Sequence, residues 1–291
     1  MHYFGTFDDG ALAAPDVYAG RGEGYRQAPL IGPHTGAVHT GLTVAQLDAG
    51  GVLAPHVHSF EEGFYILEGD AILGIGDGAV RLRAGDYGAL KIGTVHGWRN
   101  AGGGRLRWLQ MQAPQPKPAG AERDTFFPKG ARVPDSVPES GAQPMGDTAP
   151  PGAILGHFDA SNVPPVHERQ NVLKGLEGVF LKWLIDENVG AAHHRLLFIE
   201  YQPGVGIGLH DHTFEEGYFL LSGEVEATMD GKVYRARPGN VLWTGVGCVH
   251  AFRNVSTAPV LWLETFAPQP PKENAFRFMA EWETKARELE G

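Results

Sequence analysis

Two histidines one residue apart, a glutamate four residues further and a third histidine later in the chain make a set that can hold a metal ion. This chain carries the set twice. His56, His58, Glu62 and His96 form the first; His210, His212, Glu216 and His250 form the second. Alternate residues of a strand share a face, so His56 and His58 point the same way. Glu62 has the same parity, and a bend near Ser59–Glu61 brings it back beside them. His96 arrives from another strand, on a hairpin that Gly93 permits. Three imidazoles and one carboxylate give an N3O donor set for a divalent transition metal. Fe, Mn and Ni head the expectation, and Zn, Co and Cu are also accommodated; Cys248 is the only cysteine, so no thiolate set selects among them. Four protein ligands leave up to two positions of an octahedral ion for substrate and O2, or for substrate and water.

Any one histidine is more often a surface group or a hydrogen-bonded core residue than a ligand. Recurrence weakens that reading. Shifted by 154 positions, Gly36–Lys117 aligns without a gap on Gly190–Pro271, with about one pair in three identical. All six histidines and both glutamates fall in register. Phe60–Gly63 and Phe214–Gly217 are both Phe-Glu-Glu-Gly, and Ala113–Pro116 and Ala267–Pro270 are both Ala-Pro-Gln-Pro. A repeat this long is a domain rather than a solenoid unit. The expected division is a first barrel with its N-terminal arm over 1–116, a connector wrapping the domains over 117–180, and a second barrel with a terminal helix over 181–291.

The elements that position these residues read as short strands. Leu42–Leu47, Gly63–Leu67, Ala71–Ile75 and Arg105–Met111 are apolar, partly β-branched or aromatic, and bounded by turn residues; Leu196–Tyr201, Gly217–Leu221, Glu224–Met229 and Val260–Phe266 repeat them. Met229-Asp230-Gly231-Lys232 carries the Asp-Gly of a tight hairpin. Gly (41) and Pro (21), about a fifth of the 291 residues, are scattered as many turns require. The chain is therefore all-β, and only the tail, Asn274–Glu290, has apolar spacing suited to a helix packing one face on the barrel. A net charge of -10 with no basic block argues against nucleic-acid binding. No apolar run is long enough for a membrane span and no signal peptide is read, so the cytoplasm is the default location.

His56-x-His58-x3-Glu62-x6-Gly69 followed by Gly85-x5-Lys91-x-Gly93-x2-His96-x3-Asn100 resembles the paired signature motifs of the cupin superfamily. The second copy runs His210-x-His212-x3-Glu216-x6-Gly223 and Gly239-x5-Gly245-x-Gly247-x2-His250-x3-Asn254. The chain resembles a bicupin over residues 36–117 and 190–271. That resemblance implies two tandem antiparallel jelly-roll barrels, each with a divalent metal in its lumen. One departure stands out: the proline usual in the second motif is Lys91 in one copy and Gly245 in the other.

Parity places Trp98 beside His96 and Phe252 beside His250, where a ring can stack on a planar substrate or simply fill the core. His39 and His193 align across the repeat, as substrate contacts, as partners behind the ligands, or as a paired structural hydrogen bond. Glu61 and Glu215 have the parity opposite to the ligand glutamates and should face outward. Gln110 and Glu264 occupy equivalent positions with different chemistry, so the two lumens differ in polarity if both point inward.

Three functions fit this set. The first is a metal-dependent dioxygenase of a small organic substrate, with Glu62 and Glu216 as the catalytic carboxylates, as in quercetinase-like bicupins. The second is a metal hydrolase or isomerase resembling the ureidoglycine aminohydrolase type. The third, weakened by two intact ligand sets, is a non-catalytic metal-binding module. A homodimer through open edge strands and the aromatic tail is compatible with each. Elemental analysis of purified protein should find one divalent transition metal per barrel; protein that folds and stays metal-free on reconstitution contradicts the ligand assignment.

Overall fold

The computed structural model describes residues 1–118, 120–121, 123–137, 146–160, 177–271 and 275–290. Its strands are β1 (His2–Thr6), β2 (Gly22–Ile31), β3 (Gly41–His58), β4 (Glu61–Glu68), β5 (Asp70–Ile75), β6 (Gly78–Arg83), β7 (Asp86–Leu90), β8 (His96–Asn100), β9 (Leu106–Ala113), β10 (Thr125–Phe126) and β11 (Ala153–His157). They continue as β12 (Val179–Ile185), β13 (Arg195–Tyr201), β14 (Gly206–His212), β15 (Glu215–Ser222), β16 (Val225–Met229), β17 (Lys232–Ala236), β18 (Asn240–Thr244), β19 (His250–Asn254), β20 (Val260–Ala267) and β21 (Phe276–Phe278). Among the described residues there is one α-helix, α1 (Met279–Glu290). The result is two tandem antiparallel jelly-roll barrels. In the first, a single sheet ordered β11-β7-β4-β9-β3-β8-β5-β6 curls on itself; in the second, β1-β18-β15-β20-β13-β12 faces β17-β16-β19-β14-β21. Among the described residues, no helix is long and apolar enough to cross a membrane.

Local chemistry explains where the two copies differ. β3 runs unbroken through Ala49-Gly50-Gly51, whereas the second copy has Pro203-Gly204-Val205 and splits into β13 and β14. Proline has no N–H to give a ladder, so the strand stops there. The Asp230-Gly231 hairpin forms with φ of 47° and 76°, the two left-handed residues such a tight turn needs. Asn100 ties its turn by donating to the carbonyls of Leu47, Asp48 and Gly104, and Asn254 does the same to Tyr201 and Ala258.

The tail differs from the helix expected over Asn274–Glu290. Asn274 lies outside the described residues, and Phe276–Phe278 is a strand paired with β14, His210 opposite Phe278 and His212 opposite Phe276. Period-two Phe-Arg-Phe puts both rings on one face, and Arg277, on the other, forms an ion pair with Asp211. The helix begins only at Met279 and buries no residue; Trp282 is 62% exposed.

The segment preceding each barrel pairs with the other one. β1 lies along β18 of the second barrel, and β11, from the connector, lies along β7 of the first. The departures from the motif proline sit at these junctions. Lys91 N–H donates to the Gly152 carbonyl ahead of β11, and Gly245 N–H donates to the Met1 carbonyl ahead of β1, 2.8 and 2.9 Å. A proline at either position could make no such bond.

A second reciprocal contact joins the barrels. Glu61 and Glu215 do face away from their own lumens, but each is buried against the other barrel. Glu61 accepts from the backbone N–H groups of Ala192, His193 and His194 and pairs with His194 Nδ1 at 2.6 Å. Glu215 accepts from those of Val38, His39 and Thr40. The glycine two positions after each makes room: a Cβ on Gly63 would overlap the His194 ring, and one on Gly217 would lie 2.7 Å from Ile31.

Burial alone would raise the Glu61 pKa, but His194 and the backbone donors outweigh it and lower it from 4.5 to about 2. A folded pKa below the unfolded one gives stability that is complete above pH 4.5 and is lost as pH falls toward 2. Glu61→Gln should therefore differ most from the parent in urea unfolding above pH 4.5, with the gap closing toward pH 2. Glu61→Ala, which strands buried donors, should cost about 3–5 kcal/mol at pH 7.

Candidate metal centres

In each barrel the ligand strand lies beside the strand of the third histidine, with His56 opposite His96 and His210 opposite His250. A bulge in the ladder just before the first ligand histidine re-aims that stretch in both copies. After the second histidine the chain bends within two residues and returns as β4 or β15, bringing Glu62 and Glu216 back over the rings. The phenylalanine inside each bend stacks on that histidine, Phe60 on His58 at 4.3 Å and Phe214 on His212 at 4.1 Å. All eight side chains are buried. Three ligand nitrogens in each barrel lie within 4.8 Å of one another.

Hydrogen bonds behind the rings fix their tautomers. The Nδ1–H groups of His56 and His96 donate to the carbonyls of Ala54 and Thr94; those of His210 and His250 donate to Gly208 and Cys248, all between 2.8 and 3.0 Å. His212 donates to the Phe214 carbonyl at 2.7 Å. His58 donates to Thr125 Oγ1 at 3.0 Å, whose own proton goes to Asp124. Every neutral ring then turns an Nε2 lone pair inward. Among the described residues, Nε2 of His56 and His96 is buried without a hydrogen-bond partner. Inward-facing lone pairs meet a carboxylate: His58 and His96 Nε2 lie 3.3 and 3.9 Å from Glu62 oxygens, and His212 and His250 Nε2 lie 2.7 and 3.2 Å from Glu216. Acceptors at such separations repel unless a cation sits among them. Ligands about 2.1 Å from one ion are themselves about 3 Å apart, so the residues present fit a divalent metal in each barrel.

The ionisation states agree. Burial, with repulsion from His96 and His58, holds His56 well below its usual range, and burial brings His96 and His210 down to about 4. Burial also lowers His212, but the charge and hydrogen bond of Glu216 outweigh it and leave that ring raised. Burial would raise both ligand carboxylates, yet the neighbouring histidines lower Glu62 and hold Glu216 well down. Neutral imidazoles beside an ionised carboxylate are the forms that bind metal, and His56, His96 and His210 are held in that form, whereas His212, drawn toward its protonated form by Glu216, gives up a proton to an entering ion.

The two lumens differ at one cross-strand pair. Phe64 faces Gln110 in the first barrel, and Tyr218 faces Glu264 in the second. Gln110 points inward and donates to Glu62 at 3.2 Å, its carbonyl held by Tyr25 O–H. In the second barrel Tyr218 O–H donates to Glu216, and Glu264 accepts from Trp262 Nε1–H at 2.9 Å. Burial and the nearby Glu216 push the Glu264 carboxyl well above the usual range, which favours its neutral form.

The remaining sequence candidates divide. Trp98 is wholly buried, stacked on Trp108 at 4.8 Å and edge-on to Phe64 at 5.0 Å, as core filling. Phe252 instead lines a cavity of about 610 Å3 that reaches His210, Glu216 and His250. His39 and His193 are brought to neither metal cluster: their backbone N–H groups serve the clamps of Glu215 and Glu61. Cys248 is kept a thiol, pushed up to about 12 by burial and Asp230. Sequence reasoning did not single out Thr125 or Glu264's neutral state. Nothing local marks Thr125, whereas the alternation in Phe276-Arg277-Phe278, which places rings within 6 Å of His210 and His212, was visible as a strand pattern.

Fold and site together define a double jelly roll with one buried three-histidine, one-glutamate cluster in each half. A cupin-domain family model matches residues 43–111 and 197–266, and the chain belongs to the cupin superfamily as a bicupin. No curated protein matches it significantly in sequence. Among solved structures it is similar to the formate complex of Lactobacillus farciminis oxalate decarboxylase (TM-score 0.68, 16% identity, 99% of this chain and 93% of that one). It is also similar to a variant of Bacillus subtilis oxalate decarboxylase (0.67, 15%, 99% and 84%) and to the protein Ylba from E. coli (0.64, 14%, 94% and 93%). At these identities the likeness is one of fold.

His56→Ala and His210→Ala should each remove the metal of one barrel and leave the other loaded, halving the metal measured per chain. Loss of all metal from either variant would show that the clusters do not bind independently.

Proposed function

We propose that the protein is a metal-dependent enzyme, and that its reaction is a dioxygenation of a small organic molecule at the second-barrel centre. The observation that carries this reading is the cavity of about 610 Å3 that leads to His210, Glu216 and His250. A chamber of that size, mostly apolar with a few convergent polar groups, is what small-molecule sites present. A redox-active divalent metal bound there supplies Lewis acidity and a meeting point for substrate oxygen and O2. The chain's own residues do the rest. Glu216, ionised and held by Tyr218, is placed to take the proton of a substrate hydroxyl. Glu62 has the equivalent place in the first barrel. The neutral Glu264 can donate a hydrogen bond to a carbonyl oxygen, and Phe252 and Phe266 keep water from the site.

Glu264 also favours a second reading, a metal-dependent hydrolase or isomerase, because a neutral acid beside a metal can protonate a leaving group. Oxygen separates the two. Protein reconstituted with Fe, Mn or Ni should consume O2 over a panel of catechols, diketones, flavonols and ureido acids, and should do nothing under argon. Glu216→Ala should lower that uptake by about 100-fold or more, and Glu62→Ala should leave most of it. Substrate conversion under argon would replace the first reading by the second.

A further inference from the structure

The second-barrel cavity also carries information about what it admits. Its wall is aromatic along the whole path from the ligands to the rim: Phe252 and Tyr218 beside His250, Phe266 and Tyr201 further along, Phe276 on the tail strand, and Trp183 near the mouth. Its ionisable groups are mostly acidic. Among the described residues, Glu187, Glu216 and Glu264 line it, against a single guanidinium, Arg195. Arg195 is already committed. Its Nε and Nη2 both donate to Glu187, at 2.9 and 2.6 Å, and its guanidinium lies 5.1 Å over the Trp183 ring. Among the described residues of this wall, a small dianion such as oxalate would find no uncommitted cationic side chain, and it would leave most of about 610 Å3 unfilled. Apolar aryl surface, by contrast, gains from burial and from ring contacts along the path.

We infer that the second-barrel cavity takes an uncharged two-ring aryl compound with two adjacent oxygens at one end, its oxygens toward His210, Glu216 and His250 and its distal ring between Phe252 and Trp183. The inference rests on the proposed function for the placing of the oxygens at the metal, but the aryl preference is a property of the wall. Tyr218 and Glu264 supply the polar contacts near the oxygens. Arg195 and Glu187, together with Asn188, supply polar groups at the rim for a substituent on the distal ring.

The test is a binding measurement that needs no turnover. The full chain is loaded with Zn(II), kept anaerobic, and titrated with 4-phenylcatechol, catechol, biphenyl and oxalate, following tryptophan fluorescence and heat. Metal content is measured before and after, so that stripping by the chelating probe is seen. The expected order is 4-phenylcatechol about ten-fold or more tighter than catechol, biphenyl weak, and oxalate weakest. Trp183→Ala should weaken 4-phenylcatechol by about ten-fold and leave catechol and zinc content nearly unchanged, whereas Phe252→Leu, beside His250, should weaken both catechols and leave zinc content nearly unchanged. Oxalate binding as tightly as 4-phenylcatechol, or a second ring that adds nothing, overturns the inference. Tight 4-phenylcatechol binding with no O2 uptake under any redox metal overturns the dioxygenase reading and leaves the aryl site standing. Uptake with aliphatic diketones and no binding of 4-phenylcatechol does the reverse. A chain that takes up no metal overturns both.

Discussion

Lone pairs aimed at one point inside a buried cluster repel one another, and a positive charge among them turns the repulsion into attraction. This is the constraint around which both halves are arranged. Six Nδ1–H groups are spent on acceptors behind the rings, so the six Nε2 atoms have nowhere to turn but inward. The carboxylate reaches them only because the chain reverses within two residues, and a phenylalanine stacked on the second histidine holds that reversal. The four residues Phe-Glu-Glu-Gly thus do four jobs in sequence. The ring packs on a ligand, the first glutamate grips the other barrel, the second faces the metal position, and the glycine lets the neighbouring barrel come close.

Much of this was legible in the sequence because strand parity and exact recurrence are both strict signals. The two clusters of three histidines and a glutamate follow from spacing that repeats in register, and the all-β class follows from short strands between turn residues. Parity also set Glu61 and Glu215 facing away from the lumen, but it could not say that the outside of one barrel is the inside of an interface. That information is non-local: it depends on where residues 192–194 and 38–40 lie in space. The pairing of β1 and β11 with the opposite barrel escaped for the same reason, since alternation shows that a segment is a strand and not whose edge it joins. The tail was read as helix across Phe276–Phe278 because short apolar runs fit either period, and pairing with β14 decided the matter.

Near-identity of motif does not make the two centres chemically equal. Two substitutions on one cross-strand pair, Phe64 to Tyr218 and Gln110 to Glu264, replace a phenyl ring and an amide by a phenol and a buried neutral acid. The ligand carboxylate is held in both cases, by an amide N–H in one and by a phenolic O–H in the other. Such a change leaves the metal position intact and alters what can donate a proton beside it. A duplicated domain can keep one binding chemistry in this way while one copy acquires another duty.

The strand that each half lends to the other has a bearing on how the molecule is made. His2–Thr6 leaves the ribosome well before its partner Asn240–Thr244. Through that interval the opening segment has no edge to join, while the first barrel can complete its own sheet from β11 before the second exists. That docking therefore joins an early-made stretch of polypeptide to a late-made sheet, and two nascent chains held close together could trade the stretch between them.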